Sequence, residues 1–333
     1  GLPWYQARIH QGLEAERTGP EPRREFFRAL AIVMDGIEVL IQRYASACED
    51  RASTSRGQGR DRLRRLAGAF RRFLAGPPCN FLDALALVHF MNALDGYDNA
   101  GRMDQYLYPF YRHDASNGTL TPDQAEGLLA EAFDIWGAYT HWQVVVGGTG
   151  QDGQDASNEL SRLILRARGR VKRTHPSLSL RLSAKSPSTL LDAALDLLEK
   201  GLGQPAVYND DLYIHAFQQI GVPRQDATEF VLGGCSETHL AGKTAARDAF
   251  FNLTKALEAV FYNGRVSFEG PRWGVDTGQA KCLRTFDEFM TAYKQQAEYL
   301  IDTFVRYRNH VQRTVARLQP ALIRSIFVSG CLD

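Results

Sequence analysis

Val231-Leu232-Gly233-Gly234-Cys235-Ser236-Glu237-Thr238-His239, followed by Leu240-Ala241-Gly242-Lys243, is the stretch around which the rest of the chain is arranged. A short apolar run meets two glycines, which let the backbone turn where a Cβ would clash, and a thiol then stands two residues from a carboxylate. Cysteine more often behaves as a small buried hydrophobe. Here Ser236, Glu237, Thr238 and His239 would have to be buried with Cys235, and an unpaired carboxylate in a core is costly. A working thiol at a loop tip is the better reading. Three chemistries could use it. A nucleophile needs Cys235 ionised by His239, or by a distant histidine such as His175 or His215, with a third orienting group. A metal could take Cys235 and His239, although no second Cys/His cluster stands at ligand spacing. Hydrogen-atom chemistry at sulfur would use Glu237 as acid or base. Local spacing leaves all three open.

The chain around this stretch has 333 residues, 44% hydrophobic and 11% aromatic, enough for one large domain or two small ones. A formal net charge of +1 gives no electrostatic case for nucleic acid or an anionic membrane. The arginines between Arg51 and Arg72 lack interleaved aromatics and read as a solvated helix face. Cys48, Cys79, Cys235, Cys282 and Cys331 are odd in number and widely spaced, as expected of free thiols in a reducing compartment. With no leader-like start and no run of membrane-spanning length, the expectation is a soluble, cytoplasmic protein.

Upstream, residues 24–41 carry apolar side chains at helical spacing, Pro77-Pro78 interrupts, and Phe81, Leu85 and Val88 begin another helix. His89 on that face reads as a core histidine. The aromatic segment Gly101–Tyr111 has no simple period. Thr121, Pro122 and Gln124 form a capping box that opens a helix to about Tyr139. Strand-like runs then alternate with helices: Trp142–Val146, Ser177–Ser183, Pro205–Asn209 and Phe230–Leu232 are the strands. One helix between them starts near Asp155, one has Ser186 as N-cap, and one ends at Gly221. Alternation of this kind predicts parallel pairing with right-handed crossovers, hence an α/β sheet or barrel. Gly148, Gly150 and Gly153 satisfy G-x-G-x-x-G, but residues 168–173 supply basic groups where a dinucleotide site wants an acid, so the match reads as a chain-reversing loop. Downstream, an amphipathic helix stops at Asn263-Gly264, and Thr285 to Glu288 is a second capping box opening a long helix toward Pro320. The division expected is a mainly helical part over 1–140, a strand–helix part over 141–264 carrying the Cys235 loop, and a helical part over 265–333, all within one continuous domain.

Several segments together resemble the glycyl radical enzymes, the family of pyruvate formate-lyase and the radical dehydratases. Gly101-Arg102-Met103-Asp104-Gln105-Tyr106-Leu107-Tyr108-Pro109 is similar to its G-R-x-D-Q-Y-x-Y-P, and Asp152–Leu160 to its D-G-x-D-A-T-N-E-L. Gly203–Asp210 matches G-x-P-x-x-[FY]-N-D, Phe251–Glu258 resembles N-L-x-K-x-L-E, and Gly234-Cys235-Ser236-Glu237 falls on the G-C-x-E loop. The resemblance implies half of a ten-stranded α/β barrel surrounded by helices, with Cys235 as hydrogen-abstracting thiol and Glu237 as general acid or base. It favours hydrogen-atom chemistry and a lyase that cleaves a C–O, C–N or C–C bond of a small substrate. It also implies no bound cofactor other than an organic glycyl radical, installed by a radical SAM activase. His175, Arg181, Asn209, Asp210 and His239 are candidates to line the substrate pocket, because barrel enzymes place chemistry at strand ends.

The chain departs from the family in four places. A single cysteine stands where pyruvate formate-lyase has two, Thr238 replaces the usual proline, and Asp95-Gly96-Tyr97-Asp98 replaces a glycine-histidine-serine segment. No R-V-x-G-[YF] glycyl loop is present, so the radical is expected from outside this sequence, which reads as truncated at both ends. The expectation is therefore a subunit or fragment completed by a second polypeptide, or by a homo-oligomer, with a shortened non-radical or catalytically silent relative serving as a partner-binding scaffold, and a Cys/His hydrolase, as the alternatives. Open barrel edges imply an oligomer.

Overall fold

The computed structural model describes residues 2–19, 21–94, 96, 99–234, 237–241, 243 and 252–318. These fall into two compact units, one within residues 1–246 and one within 247–322.

The first unit opens with four helices, α1 (Leu2–Ala15), α2 (Glu21–Thr54), α3 (Gly57–Ala75) and α4 (Phe81–Leu94). In α2 the buried residues Leu30, Met34, Ile37, Ile41 and Ala45 recur every three or four positions, one stripe on a 3.6-residue period. They pack with Ile9 of α1, Phe70 and Phe73 of α3 and Phe90 of α4 into a separate core. Strand β1 (Asn99–Arg102) follows, then α5 (Met103–Tyr106), α6 (Tyr108–Ser116), α7 (Pro122–Ala138), β2 (Gln143–Gly147), α8 (Glu159–Arg168), β3 (Ser177–Leu182), α9 (Ser188–Leu198), β4 (Ala206–Asn209), α10 (Asp210–Gln219) and α11 (Arg224–Ala227). The four strands pair in the order β1-β2-β3-β4, each neighbouring pair parallel. This is the strand-and-helix alternation that the sequence predicts, now seen as a parallel sheet with helical crossovers. The Thr121 capping box is present: the Gln124 amide donates to Thr121 Oγ1 at 3.2 Å and the Thr121 amide to Gln124 Oε1 at 2.9 Å.

Two helix starts differ from the sequence reading. The helix placed near Asp155 begins at Glu159, because Asp155 is tied instead to Ser157 and to the Ser186 hydroxyl at 2.7 Å, and Asn158 is the cap. Ser186 consequently is not an N-cap; Pro187 holds that place before α9.

The two faces of the sheet differ in chemistry. In Ser177-Leu178-Ser179-Leu180-Arg181-Leu182 the leucines at 178 and 180 join Val144 and Val146 in the core beneath α7, α8 and α9. The alternate residues Ser179 and Arg181, with Gln143 and Val145 of β2, face the other way. Against this second face lies a β-hairpin, β5 (Phe230–Gly233) and β6 (Glu237–Leu240), paired antiparallel. Val145, Ile214, Ala227, Phe230 and Leu232 form the small core between them. Among the described residues β4 pairs only with β3, so its outer edge is open, and Val207 on it is 52% exposed.

The second unit holds α12 (Leu253–Phe261), a 3-10 turn (Ala280–Cys282) and the long α13 (Phe286–Leu318). Gln296, fully buried on α13, accepts from the Val275 amide at 3.2 Å and donates to the Val275 carbonyl at 2.8 Å, fixing the intervening loop to the helix. Among the described residues no helix is long and apolar enough to cross a membrane.

Candidate functional site

The site grows from the hairpin. Its pairs are Phe230 with Leu240, Val231 with His239, Leu232 with Thr238 and Gly233 with Glu237. Gly234 follows β5 as a turn residue, and Cys235 and Ser236 themselves lie outside the described residues. Alternation along β6 puts Glu237 and His239 on one face and the exposed Thr238 on the other. That shared face closes over the two glycines. A Cβ on Gly233 would stand 2.8 Å from Asn99 Nδ2 and 2.9 Å from His239 Nε2. At Gly234, where φ is +55°, it would stand 2.8 Å from the Glu237 carboxyl carbon. Both positions need glycine, for space at the first and for space and backbone conformation at the second. The Gly234 amide donates to Asn99 Oδ1, at 3.2 Å, across 135 residues of sequence.

The base of the hairpin is fixed by two buried arginines from the sheet. Arg181 donates to Asp210 Oδ1 at 2.5 Å, to the Phe230 carbonyl at 2.6 Å and to the Thr228 carbonyl at 3.0 Å. Its guanidinium also lies 3.7 Å from the centroid of the Phe230 ring. Arg102 donates to the same Thr228 carbonyl at 3.2 Å and to the Gly147 carbonyl at 3.0 Å, with Glu229 at ion-pair distance, 3.6 Å. Burial, and then the neighbouring Arg102 charge, pull the Arg181 guanidinium down to about 10, against the opposing pull of Asp210; it stays protonated at neutral pH. The remaining oxygen of Asp210 accepts from the Thr149 amide at 2.7 Å, so one carboxylate ties β3, α10 and the loop after β2 together.

Asp104 does the same one strand over. Its Oδ2 accepts from the Gly147 amide at 2.8 Å and from the Ser161 hydroxyl at 2.5 Å, and burial raises its pKa. The loop 148–158 is thereby pinned at both ends. No helix starts at Gly153; α8 begins only at Glu159, so the G-x-G-x-x-G match is a loop without the helix N-terminus that a pyrophosphate would need.

The residues expected from sequence are thus distributed unevenly. Glu237 and His239 stand together beside the turn, on the hairpin face that packs over Gly233 and Gly234. Arg181 and Asp210 lie at the hairpin base, both without solvent exposure, their polar atoms given to each other and to backbone. Asn209 is exposed on the edge strand, where its carboxamide caps α10 by accepting from the Leu212 amide at 3.0 Å. His175 precedes β3 on the helix side, its carbonyl close to Gly137 of α7. Asn99, Arg102, Gln143 and Ser179 were not among the expected residues, yet all four point toward the hairpin or contact it. Gln143 donates to the Ser179 hydroxyl from the centre of the inner face. For Ser179 the signal was present in the alternation Ser-Leu-Ser-Leu-Arg-Leu, whose polar half marks the face turned away from α7, α8 and α9. Asn99 carries no comparable signal, because nothing in Asn-Ala-Gly-Arg reads as a strand. Among the described residues no group of three or more His, Cys, Asp or Glu side chains is placed to hold a metal ion.

Beside the hairpin base a cavity of about 220 Å³ is lined by Gln151, Asp226, Glu229 and Lys243 among others. Its polar groups satisfy one another: Gln151 donates to Glu229 at 3.0 Å, and Lys243 pairs with Asp226 at 2.7 Å.

Comparison with known proteins agrees with this architecture. The family described as pyruvate formate lyase-like matches residues 5–333. Among curated relatives, a probable dehydratase, YbiW, of Escherichia coli K12 is 31% identical over 93% of this chain and 42% of its own length. Trans-4-hydroxy-L-proline dehydratase of Clostridioides difficile is 28% identical over 92% of this chain and again 42% of its own. The solved hydroxyproline dehydratase from the same organism superposes with a TM-score of 0.90 at 26% identity, covering all of this chain and 46% of the enzyme. A glycyl radical enzyme of Archaeoglobus fulgidus gives 0.89 at 26% identity, covering all of this chain and 46% of its own. The chain spans less than half the length of the relatives it matches, and its α/β sheet with surrounding helices is a partial version of their barrel. By the family match and the collinear motifs that the hairpin and its supporting loops carry, the chain belongs to the pyruvate formate lyase-like family of glycyl radical enzymes.

Proposed function

We propose that this chain is the cysteine-bearing part of a glycyl-radical-type lyase acting on a small substrate, with Cys235 as hydrogen-abstracting thiol and Glu237 as general acid or base. The observation that carries the reading is the packing of the Glu237 carboxylate against Gly234, the residue before Cys235, on the polar face of a partial barrel. In this reading the Cys235 sulfur, as a thiyl, takes a hydrogen atom from a substrate carbon, so that an S–H bond forms and a C–H bond breaks. Loss of the adjacent substituent follows, with Glu237 giving a proton to the departing hydroxyl or amine and regaining one from the hydroxyl or amine on the radical carbon, and the hydrogen atom then returns from sulfur to the product carbon. The radical is expected from a glycyl residue outside this sequence, installed by a radical SAM activase; it would accept the hydrogen atom of the Cys235 S–H bond and so leave the sulfur as the thiyl. A second polypeptide that closes the barrel and carries the glycyl loop belongs to the same proposal. A cysteine thiyl is short-lived in the open, so closure of the partial barrel by that second polypeptide is part of the proposal.

Replacing Cys235 by Ser or Ala in the reconstituted, activated system tests the reading. The expected result is loss of turnover with the fold retained; turnover unchanged by either substitution overturns it.

A further inference from the structure

We infer that Asn99 is a positioning residue for the turn that carries Cys235, acting through the Gly234 backbone; the inference rests on the role proposed above for that turn. A two-stranded ribbon is marginally stable by itself, and this one is clamped at its base by Arg102 and Arg181. Its far end needs a separate hold. Asn99 supplies one from another sheet, since it is the first residue of β1 and is paired there with Gln143 of β2.

The contact has three parts. Asn99 Oδ1 accepts from the Gly234 amide at 3.2 Å. Its Nδ2 lies where a Cβ at Gly233 would be crowded to 2.8 Å, so the carboxamide is seated against the two-glycine step. Next along the strand, Gly101 is 3.8 Å from a Val231 methyl by the same measure, so β1 follows β5 along its length. The His239 ring crowds the same Cβ position of Gly233, and the Glu237 carboxylate crowds that of Gly234. The two-glycine step is thereby packed by a neutral amide from the sheet and by the Glu237 and His239 side chains of β6. A carboxamide suits this place because it accepts the amide hydrogen without bringing a second negative charge to the step that Glu237 already occupies.

Two substitutions separate acceptor from shape. In Asn99→Ala the acceptor is lost, and amide hydrogen exchange at Gly234, read by mass spectrometry or NMR on the full chain, is expected to accelerate roughly three- to tenfold, the range of one net hydrogen bond. Asn99→Asp keeps the acceptor and is expected to hold exchange near the parent rate. Exchange at Gly234 unchanged in Asn99→Ala, or accelerated as much in Asn99→Asp as in Asn99→Ala, overturns the inference. In the reconstituted system both variants are expected to lower kcat more than they raise KM. The exchange readout needs no radical. Turnover that survives Cys235→Ala therefore removes the proposed function and leaves the exchange result standing, whereas flat exchange removes the role of Asn99 alone.

Discussion

At the scale of single residues, Gly234 is where sequence, backbone and chemistry meet. Its φ of +55° and the nearby Glu237 carboxylate each forbid a side chain for separate reasons. Gly234→Ala is therefore expected to cost about 1–3 kcal/mol, from left-handed backbone strain together with displacement of Glu237. Urea denaturation followed by circular dichroism measures the cost, and a loss below a few tenths would show that the turn accepts alanine by relaxing. The glycines and the acid were legible in the sequence, because G-G-C-x-E already implies a tight turn beside a carboxylate. Asn99 was not legible: a lone asparagine carries no period, and its partner lies across the fold.

Among the elements, the hairpin depends on side chains that the sequence offered as pocket residues. Arg181 and Asp210 are a buried ion pair at 2.5 Å whose other atoms are committed to the Thr228 and Phe230 carbonyls and the Thr149 amide. Removing one partner leaves an uncompensated charge in the interior. Asp210→Asn or Arg181→Met is accordingly expected to destabilise by about 3–5 kcal/mol, measured by urea midpoint, with the paired change Arg181→Met/Asp210→Leu costing less than the sum. An additive double variant would show that the pair is not coupled. The strands that sequence reading found, β2 to β5, carry a β-branched run in β2, strict alternation in β3, and short apolar or aromatic runs in β4 and β5. It missed β1 and β6 because Asn-Ala-Gly-Arg and Glu-Thr-His-Leu have little intrinsic strand preference and are ordered by the neighbours they dock on. Helix starts moved for a related reason: Asp155 and Ser186, each a good cap in isolation, spend their oxygens on one another.

For the molecule as a whole, two expectations follow from burial and from the open edge. His141 is fully buried, stacked 5.2 Å from Trp136, and burial, followed by the charges of His89 and His175, lowers its pKa from 6.5 to about 4. The folded chain thus holds the neutral ring, while the unfolded chain takes up a proton once the pH falls below about 6.5. Stability is full above that value and declines as pH drops from there to about 4, by on the order of 3 kcal/mol. Urea titrations at stepped pH test this, and His141→Phe, which keeps a ring on Trp136, is expected to flatten the acid limb. Along β4 the unpaired edge and exposed Val207 predict concentration-dependent self-association of the isolated chain. Val207→Lys is expected to suppress it in sedimentation velocity, and association unaffected by that change would place the contact elsewhere.

The hairpin, gripped at Thr228 and running back along β1, also works as a gauge. Each rung of a strand advances it by about 3.3 Å, and each odd step reverses which side its residues present. Shortening it by the single rung Leu232 with Thr238 would withdraw the turn by that amount and swap the surfaces shown by Glu237 and its neighbours. Removal of two rungs would restore the side but leave the turn about 7 Å short of Asn99. Reach and orientation are therefore locked together in increments of two residues.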